Sequence, residues 1–475
     1  MKYVHAFGDD VLGDLDGVGI AAAIRAGEFS ATEAVQAAIA RIDAVNPQVN
    51  AVAVDDRERA RSRAADADFG AGSFAGVPSI IKNNTLFEGL PVGNGSAAMP
   101  DLPAKGNEPF TEQFLSTGVN IVGASTLPAF GLTATTEFVD RDPTRNPWDT
   151  DYSSGASSGG SAALVAAGAL AVAHGNDGGG SIRIPAAACG LVGLKPTRGR
   201  VAPSPTGQVL PVDIISNGVL SRTVRDTAHF ISDAETFRAP EGLPRVGLVE
   251  GPGKRRLRIG LVDTTVTGQP IDAETSAALA SVADLLTELG HDVERIPIPL
   301  DEAFVRQFVD YWSMLACSMH RLGWVLVGKD FDRDALDPFT IGLSRRYLRT
   351  FWRTPSTIIG LKRSTARFRT VFDGHDLVLT PTLAHTTPKI GYLDPGGDFD
   401  EIFERLVHYV AFTPANNATG TPAISLPLAR TFDGLPLGLH FSADLGRERT
   451  LLELAFELEA ARPFARIQDQ VVRER

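Results

Sequence analysis

Short apolar runs alternate with longer amphipathic ones along most of this chain, and that alternation constrains the fold more than any other feature. Residues 76–82, 120–124, 257–262, 376–382, 422–427 and 437–441 each read as a buried strand. Between and around them lie helical segments, the clearest at 272–289 and 448–461. Strands and helices exchanged at short spacing predict an α/β layer structure. The length of 475 residues gives a soft prior of about three domains. No Pro/Ser linker, repeat or low-complexity tract supports a split, so the expectation is one domain over 1–475.

Local signals refine this. Asp16 is placed to cap a first helix and Gly27 to end it. Ser30-Ala31-Thr32-Glu33 is a capping box for a second, with Val35, Ala38, Ile39, Ile42 and Val45 as its apolar stripe and Asn46-Pro47 as its stop. Residues 55–68 predict a third, exposed helix. Residues 143–160 predict loop, and the Ala-rich run 162–173 a buried helix too short to span a membrane.

Composition excludes some functions. With 43% hydrophobic and 21% charged residues the chain reads as an ordinary globular enzyme. A net charge of -12 argues against a nucleic-acid partner. Two cysteines, Cys189 and Cys317, make a disulfide framework unexpected and suit a reducing cytosol; the N-terminal residues show no secretory h-region, so a cytoplasmic location is expected. One stretch stands apart: residues 345–369 carry Arg345, Arg346, Arg349, Arg353, Lys362, Arg363, Arg367 and Arg369 and no acid. It reads as a solvated face balanced by acids elsewhere, in preference to a membrane-binding surface.

The chemistry is announced by His174-Gly175-Asn176-Asp177-Gly178-Gly179-Gly180-Ser181. Three glycines leave backbone N–H groups uncovered and permit positive φ. Bare N–H groups beside a hydroxyl are what acyl transfer requires: an attacking oxygen and donors for the oxyanion that develops. Two serines compete for the nucleophile's role. Gly155-Ala156-Ser157-Ser158-Gly159 matches the Gly-x-Ser-x-Gly elbow, with His375, His385, His408 or His440 as its base, but no hydrophobic strand runs directly into it. The other arrangement has Ser181 as nucleophile, Ser157 as relay and Lys82, at the end of an apolar strand, as base. Lysine serves there only when burial lowers its pKa far enough to leave a neutral amine.

That second combination resembles the amidase signature family of Ser–cisSer–Lys hydrolases. The likeness runs from about residue 14 to 467 and rests on the segments 77–84, 146–200 and 412–459. The family's lysine-to-serine and serine-to-serine spacings recur here, 157 − 82 = 75 and 181 − 157 = 24. The mycobacterial and other actinobacterial amidases, and the 6-aminohexanoate cyclic dimer hydrolases, look like the nearest branches.

The resemblance implies one α/β domain with a large twisted mixed β-sheet flanked by helices on both faces. Its N-terminal helices would occupy about 14–68, its catalytic core about 75–235 and 375–467, and a variable substrate-pocket region about 300–372. It also implies Ser181 as nucleophile, Ser157 as bridging serine after a cis peptide, and Lys82 as base. The N–H groups of Gly178, Gly179, Gly180 and Ser181 would form the oxyanion hole, supported by a pair between Asp177 and Arg183. Gly131, Phe308, Trp312, Met314, Leu315 and Cys317 would border the substrate pocket. The implied reaction needs no metal or organic cofactor. The implied partner is a small-molecule amide, with no nucleic acid and no membrane; the assembly considered is a homodimer.

Two departures stand out. Asn83 follows Lys82 where the family usually has an acid, and Asn176 replaces a commoner threonine. Losing a neighbouring carboxylate favours neutral lysine. Cys189 and His174 read as packing residues. Three rival readings remain: an α/β-hydrolase esterase using Ser157, the amidase subunit of a tRNA-dependent amidotransferase, and a catalytically silent binding protein.

Overall fold

A computed structural model describes residues 3–66 and 68–470. Val52–Asp55 (β1), Pro78–Lys82 (β2) and Asn120–Ser125 (β3) form a small sheet in the order β1-β3-β2, and Arg145–Asn146 (β4) pairs with Asp149–Ser153 (β5) in a hairpin. The main sheet holds Val172–Asp177 (β6), Val192–Lys195 (β7), Ser216–Ser221 (β8), Arg258–Leu261 (β9), Asp292–Arg295 (β10), Leu377–Pro381 (β11), Ala423–Arg430 (β12) and Pro436–Ala443 (β13). Its order is β10-β9-β11-β13-β12-β7-β8-β6. β9 runs parallel to β10 and β11, and the remaining pairs are antiparallel, so the sheet is mixed, with helices on both faces.

Strand β13 shows how this sheet serves both core and site. Leu437, Leu439, Phe441 and Ala443 enter the main apolar core with Leu451, Leu454 and Leu458 of helix Glu448–Ala461. The alternate residues Gly438, His440 and Ser442 meet Ala187, Arg183 and Asn416. One face of the strand is therefore apolar and the other builds the polar scaffold described below.

Several local expectations hold. Asp16 and Gly27 bound helix Gly17–Ala26, and the Ser30–Glu33 capping box is formed. Others need correction. The second helix passes through Pro47 and ends at Asn50 in the left-handed region; Pro47 lies in its last turn, and the Asn46 side chain accepts from the Ala51 and Val52 N–H groups beyond it. The third helix is shorter, Arg57–Asp66, because Asp55 belongs to β1; Ala67 lies outside the described residues. The segment 143–160 contains the β4–β5 hairpin. The Ala-rich run is two elements: helix Gly159–Ala166 stops, Gly168 turns at φ +74 against the Phe7 ring, and β6 begins at Val172.

The basic stretch forms helices Pro338–Leu348 and Thr354–Arg369. Arg346, Arg367 and Arg369 pair with Asp310, Asp301 and Asp444. Among the described residues no helix is long and apolar enough to cross a membrane.

Candidate active site

The small sheet and the main sheet meet where β2 lies against edge strand β6. Ser79 Oγ donates to the Val172 carbonyl (2.8 Å), and the Lys82 backbone N–H donates to His174 Nδ1 (3.2 Å). His174 is fully buried against Phe110 and Phe114, and burial pushes its imidazole down to about 3. A neutral ring accepting at Nδ1 carries its proton on Nε2. It therefore works as a fixed acceptor that seats the end of β2.

From that seat the Lys82 side chain, with no solvent exposure, reaches Ser157 Oγ at 2.8 Å and donates to Asn176 Oδ1 at 2.7 Å. Burial pushes the ammonium down to about 7, against the opposing pull of Asp177. Burial alone does not single out this amine. Lys195 is also buried and pushed down to about 7, but its Nζ donates to the Pro196 carbonyl at 2.7 Å, and the one hydroxyl near it is Ser216 Oγ at 3.5 Å. Among the described residues, Lys82 is the one lysine in contact with a serine of the glycine-rich segments.

Ser157 follows a cis peptide from Ala156. The neighbouring Ser158 N–H donates to the Ser181 carbonyl at 3.2 Å, which ties the two serine segments together. Gly131, at φ +67, lies so close that a Cβ there would stand 2.9 Å from Ser157 Oγ. The residue thus borders the bridging serine itself. Ser181 is 9% exposed, against 3% for Ser157 and none for Lys82, so the outermost member of the set is the one a substrate reaches first. Its Oγ makes no hydrogen bond among the described residues.

The glycine loop between β6 and helix Arg183–Cys189 is shaped by Asp177. Its carboxylate accepts from the Gly180 N–H (2.8 Å) and the Ile182 N–H (3.1 Å), and forms a bidentate pair with Arg183 (2.8 and 2.9 Å) in which neither side chain is exposed. Burial would raise the Asp177 pKa; Arg183 and Asn417 outweigh it and hold the carboxyl well below the usual range. Gly180 is a correction to the expected donor set. Its N–H is engaged by Asp177, which leaves Gly178, Gly179 and Ser181 as the N–H groups without an acceptor among the described residues. Gly180 is needed for a different reason: at φ +134 a Cβ would fall 2.3 Å from Thr413 Oγ1. Thr413 in turn donates to the Gly179 carbonyl at 2.6 Å and fixes that peptide's orientation.

Residues far along the chain complete the scaffold, and sequence reading did not assign them this part: it did not single out Asn416 or Asn417, and it considered His440 only as a base for an elbow serine. Asn416 Oδ1 and Asn417 Oδ1 accept from Arg183 (3.2 and 2.7 Å), and Asn417 Nδ2 donates to both the carbonyl and the carboxylate of Asp177 (2.8 Å each). His440 Nε2 accepts from Arg183 Nη1 at 3.0 Å, while Nδ1 meets Thr380 Oγ1 at 3.0 Å. Burial, and then Arg183, push His440 well below its ordinary pKa. The nearest signal in the sequence was the segment from 412 onward, whose polar run Thr413-Pro414-Ala415-Asn416-Asn417 is odd for a core position.

The departure at 83 and its neighbour Asn84 also find places. Asn83 faces away from the amine: Nδ2 donates to the Pro91 carbonyl and Oδ1 accepts from the Gly93 N–H, both at 2.8 Å. Asn84 Oδ1 instead accepts from Asn176 Nδ2 at 2.9 Å.

Of the expected pocket residues on helix Glu302–Leu326, Phe308 reaches the site, its ring 3.8 Å from the Cβ position of Gly179. Met314 and Leu315 pack in the same apolar cluster, with Ile214 and Phe304. Trp312 turns to a second cluster, stacked on Phe403 with centroids 6.1 Å apart. Cys317 is a buried free thiol, as is Cys189, which burial pushes up strongly. None of the four histidines considered for an elbow serine touches Ser157: His375 bonds Glu294, His385 the Thr386 carbonyl, His408 the Pro270 carbonyl, and His440 Arg183.

Fold and site together define a hydrolase class in which a buried lysine, in place of histidine, sits on a serine beside an N–H-lined loop. The chain belongs to the amidase family: the family model described as Amidase matches residues 33–452. It is 49% identical to AmiC of Mycobacterium leprae (strain TN), a protein named as a candidate amidase, over 98% of this chain and 99% of that one. It is 34% identical to the 6-aminohexanoate-cyclic-dimer hydrolase of Pseudomonas sp. (strain NK87), over 94% and 95%. The solved structure of a 6-aminohexanoate cyclic dimer hydrolase complexed with substrate superposes with a TM-score of 0.87 at 32% identity, covering 95% of this chain and 97% of that chain. The protein is an amidase.

Proposed function

We propose that this amidase hydrolyses small-molecule carboxamides to a carboxylate and ammonia or an amine, as an acylamide amidohydrolase working through a Ser181 acyl-enzyme. The observation that carries the reading is the 2.8 Å contact between the buried Lys82 Nζ and Ser157 Oγ. A neutral amine there takes the Ser157 proton while Ser157 takes that of Ser181, whose Oγ bonds to the substrate carbonyl carbon. The former carbonyl oxygen, now an anion, is held by N–H groups of Gly178, Gly179 and Ser181. The proton returns from Lys82 through Ser157 to the leaving nitrogen as the C–N bond breaks. Water then attacks the ester carbonyl carbon and gives its proton to the same relay, which returns it to Ser181 Oγ as the acyl C–O bond breaks and the acid leaves. No step calls for a metal or organic cofactor, or for a partner chain.

The whole chain acts in this reading as one catalytic unit in a cytosolic setting, to which two free buried thiols are suited. Phe308 beside Gly179 forms an apolar wall for the acyl or aryl part, and the cyclic diamide named for the relative is a substrate class to include. The test is a fluorophosphonate probe followed by peptide mapping, with a graded amide panel alongside. Label on Ser181, and loss of both labelling and turnover in a folded Ser181→Ala variant, is the expected result. Label on Ser157, or full turnover by Ser181→Ala, refutes it.

A further inference from the structure

Lys82 Nζ has two polar partners, and only one of them belongs to the proton relay. The other is Asn176 Oδ1, at 2.7 Å, slightly shorter than the 2.8 Å contact to Ser157. A neutral amine has one lone pair and two N–H groups. For that lone pair to face the Ser157 hydroxyl, an N–H must be taken up elsewhere, and Asn176 Oδ1 is the acceptor placed to do it. An asparagine amide offers an acceptor at one end and donors at the other, so something has to decide which end faces the lysine. That is Asn84. Its Oδ1 accepts from Asn176 Nδ2 at 2.9 Å, and Thr85 Oγ1 donates to the same oxygen at 3.4 Å. Asn84 Nδ2 faces Asn176 Oδ1 in return, at 3.4 Å, so turning the Asn176 amide alone would set oxygen against oxygen and donor against donor at Asn84 and its donors against the Lys82 N–H groups.

We propose that Asn176, oriented by Asn84, is a positioning residue that aims the Lys82 amine at Ser157 and keeps the surroundings of that amine uncharged. The inference rests on the reading of Lys82 as the base. It assigns a task to the two asparagines that sequence analysis marked as unusual or passed over. The charges that bear on the amine are few. His174, from β6, is neutral, and Asp177, from the end of β6, is already bound by Arg183. Strand β3 and helix Gly159–Ala166, which pack against β2, bring only hydroxyls to this end. Arg41 on helix Ala31–Val49 is paired with Asp10. An acceptor that carries no charge is therefore the one that leaves the lysine free to stay an amine, whereas a carboxylate in its place favours ammonium.

The test uses the full chain and the pH dependence of its labelling by a fluorophosphonate probe, which needs no known substrate. Asn176→Asp keeps the shape and the acceptor facing Lys82, loses the donor to Asn84 Oδ1 and adds charge; its labelling profile is expected to move alkaline by about one pH unit or more. Asn176→Leu removes the acceptor, so labelling at the plateau should fall about tenfold or more with no alkaline shift. Asn84→Leu, which frees the amide to turn, is expected to lower the plateau likewise. Opposite behaviour of the Asp and Leu variants separates positioning from simple loss of packing, and matching melting temperatures confirm folding. A profile of Asn176→Asp coincident with wild type, while Lys82→Ala is unlabelled, overturns this proposal and leaves the base assignment standing. Rapid labelling of Lys82→Ala instead overturns the base assignment itself.

Discussion

A lysine can accept a proton near neutral pH only if its ammonium is costly to keep, and at Lys82 the cost comes from complete burial. The sign for activity follows directly. Below about 7 the amine is protonated and cannot draw on Ser157; as pH rises through about 7 the neutral form takes over. kcat/KM for an uncharged amide is therefore expected to climb about tenfold per unit on the acid side and level off about a unit above neutrality. The buried histidines do not produce this limb. His174 is held near 3 and His440 well below its ordinary value, so both are neutral across the window. Lys195 titrates in the same range, and the measurement accordingly includes Lys195→Met. Persistence of the acid limb in that variant excludes Lys195 as its source, and the buried carboxyls Glu108, Asp226 and Glu459, pushed up to about 7, are tested in the same way as amides; a flat wild-type profile between about pH 5.5 and 8.5 contradicts the neutral-amine mechanism.

At the scale of an element, the turn from β6 into helix Arg183–Cys189 is held from inside by one ion pair. Removing Arg183 would strand the Asp177 carboxylate in a dry site, which typically costs about 3–5 kcal/mol. Arg183→Met should lose that much stability in urea unfolding. The deficit should shrink toward acid pH, because a stranded carboxylate has a raised folded-state pKa and its penalty is felt above that pKa. Arg183→Met with Asp177→Asn should be the more stable of the two variants, since no unpaired charge remains; a loss under about 1 kcal/mol for the single change would show the pair is not holding the turn. The legibility of this region was uneven for a physical reason. Lys82, Ser157, Ser181, Asp177 and Arg183 stand in short stretches whose own composition is unusual, and a strand end or a glycine run can be read locally. Asn417 and His440 act on Arg183 across 234 and 257 positions, and beyond the polar run that holds Asn417 nothing in their immediate neighbours records it. The same holds for β6, whose first residues Val172 and Ala173 continue the Ala-rich composition of the helix although Gly168 has already ended it, and for β7 and β8, which are buried throughout and show no alternation.

For the molecule as a whole, the consequence is that the catalytic loop has no independence from the core. Arg183 and Asp177 are bonded to Asn416 and Asn417 from one distant segment, and Arg183 to His440 of a central strand. His440 is itself tied to Thr380 on β11. Lys82 arrives from a separate small sheet, seated on β6 by the His174 ring. The reacting groups thus come from opposite sides of a seam between two sheets, and their alignment depends on both sheets being folded and in contact. A loop or lid of low local stability would lose activity before the bulk structure melted. Here the two losses should coincide. Heating the enzyme while following amide turnover and near-ultraviolet circular dichroism is expected to give one midpoint within about 2 °C. Opening the seam while leaving each sheet intact is the one route to separating them. His174→Ala, which removes the acceptor for the Lys82 N–H and leaves a void beside Phe110 and Phe114, is the variant in which inactivation should precede unfolding. Early inactivation of the wild type would instead mean that the glycine loop moves on its own, and the buried network around Arg183 would then have to be read as support for the sheet alone.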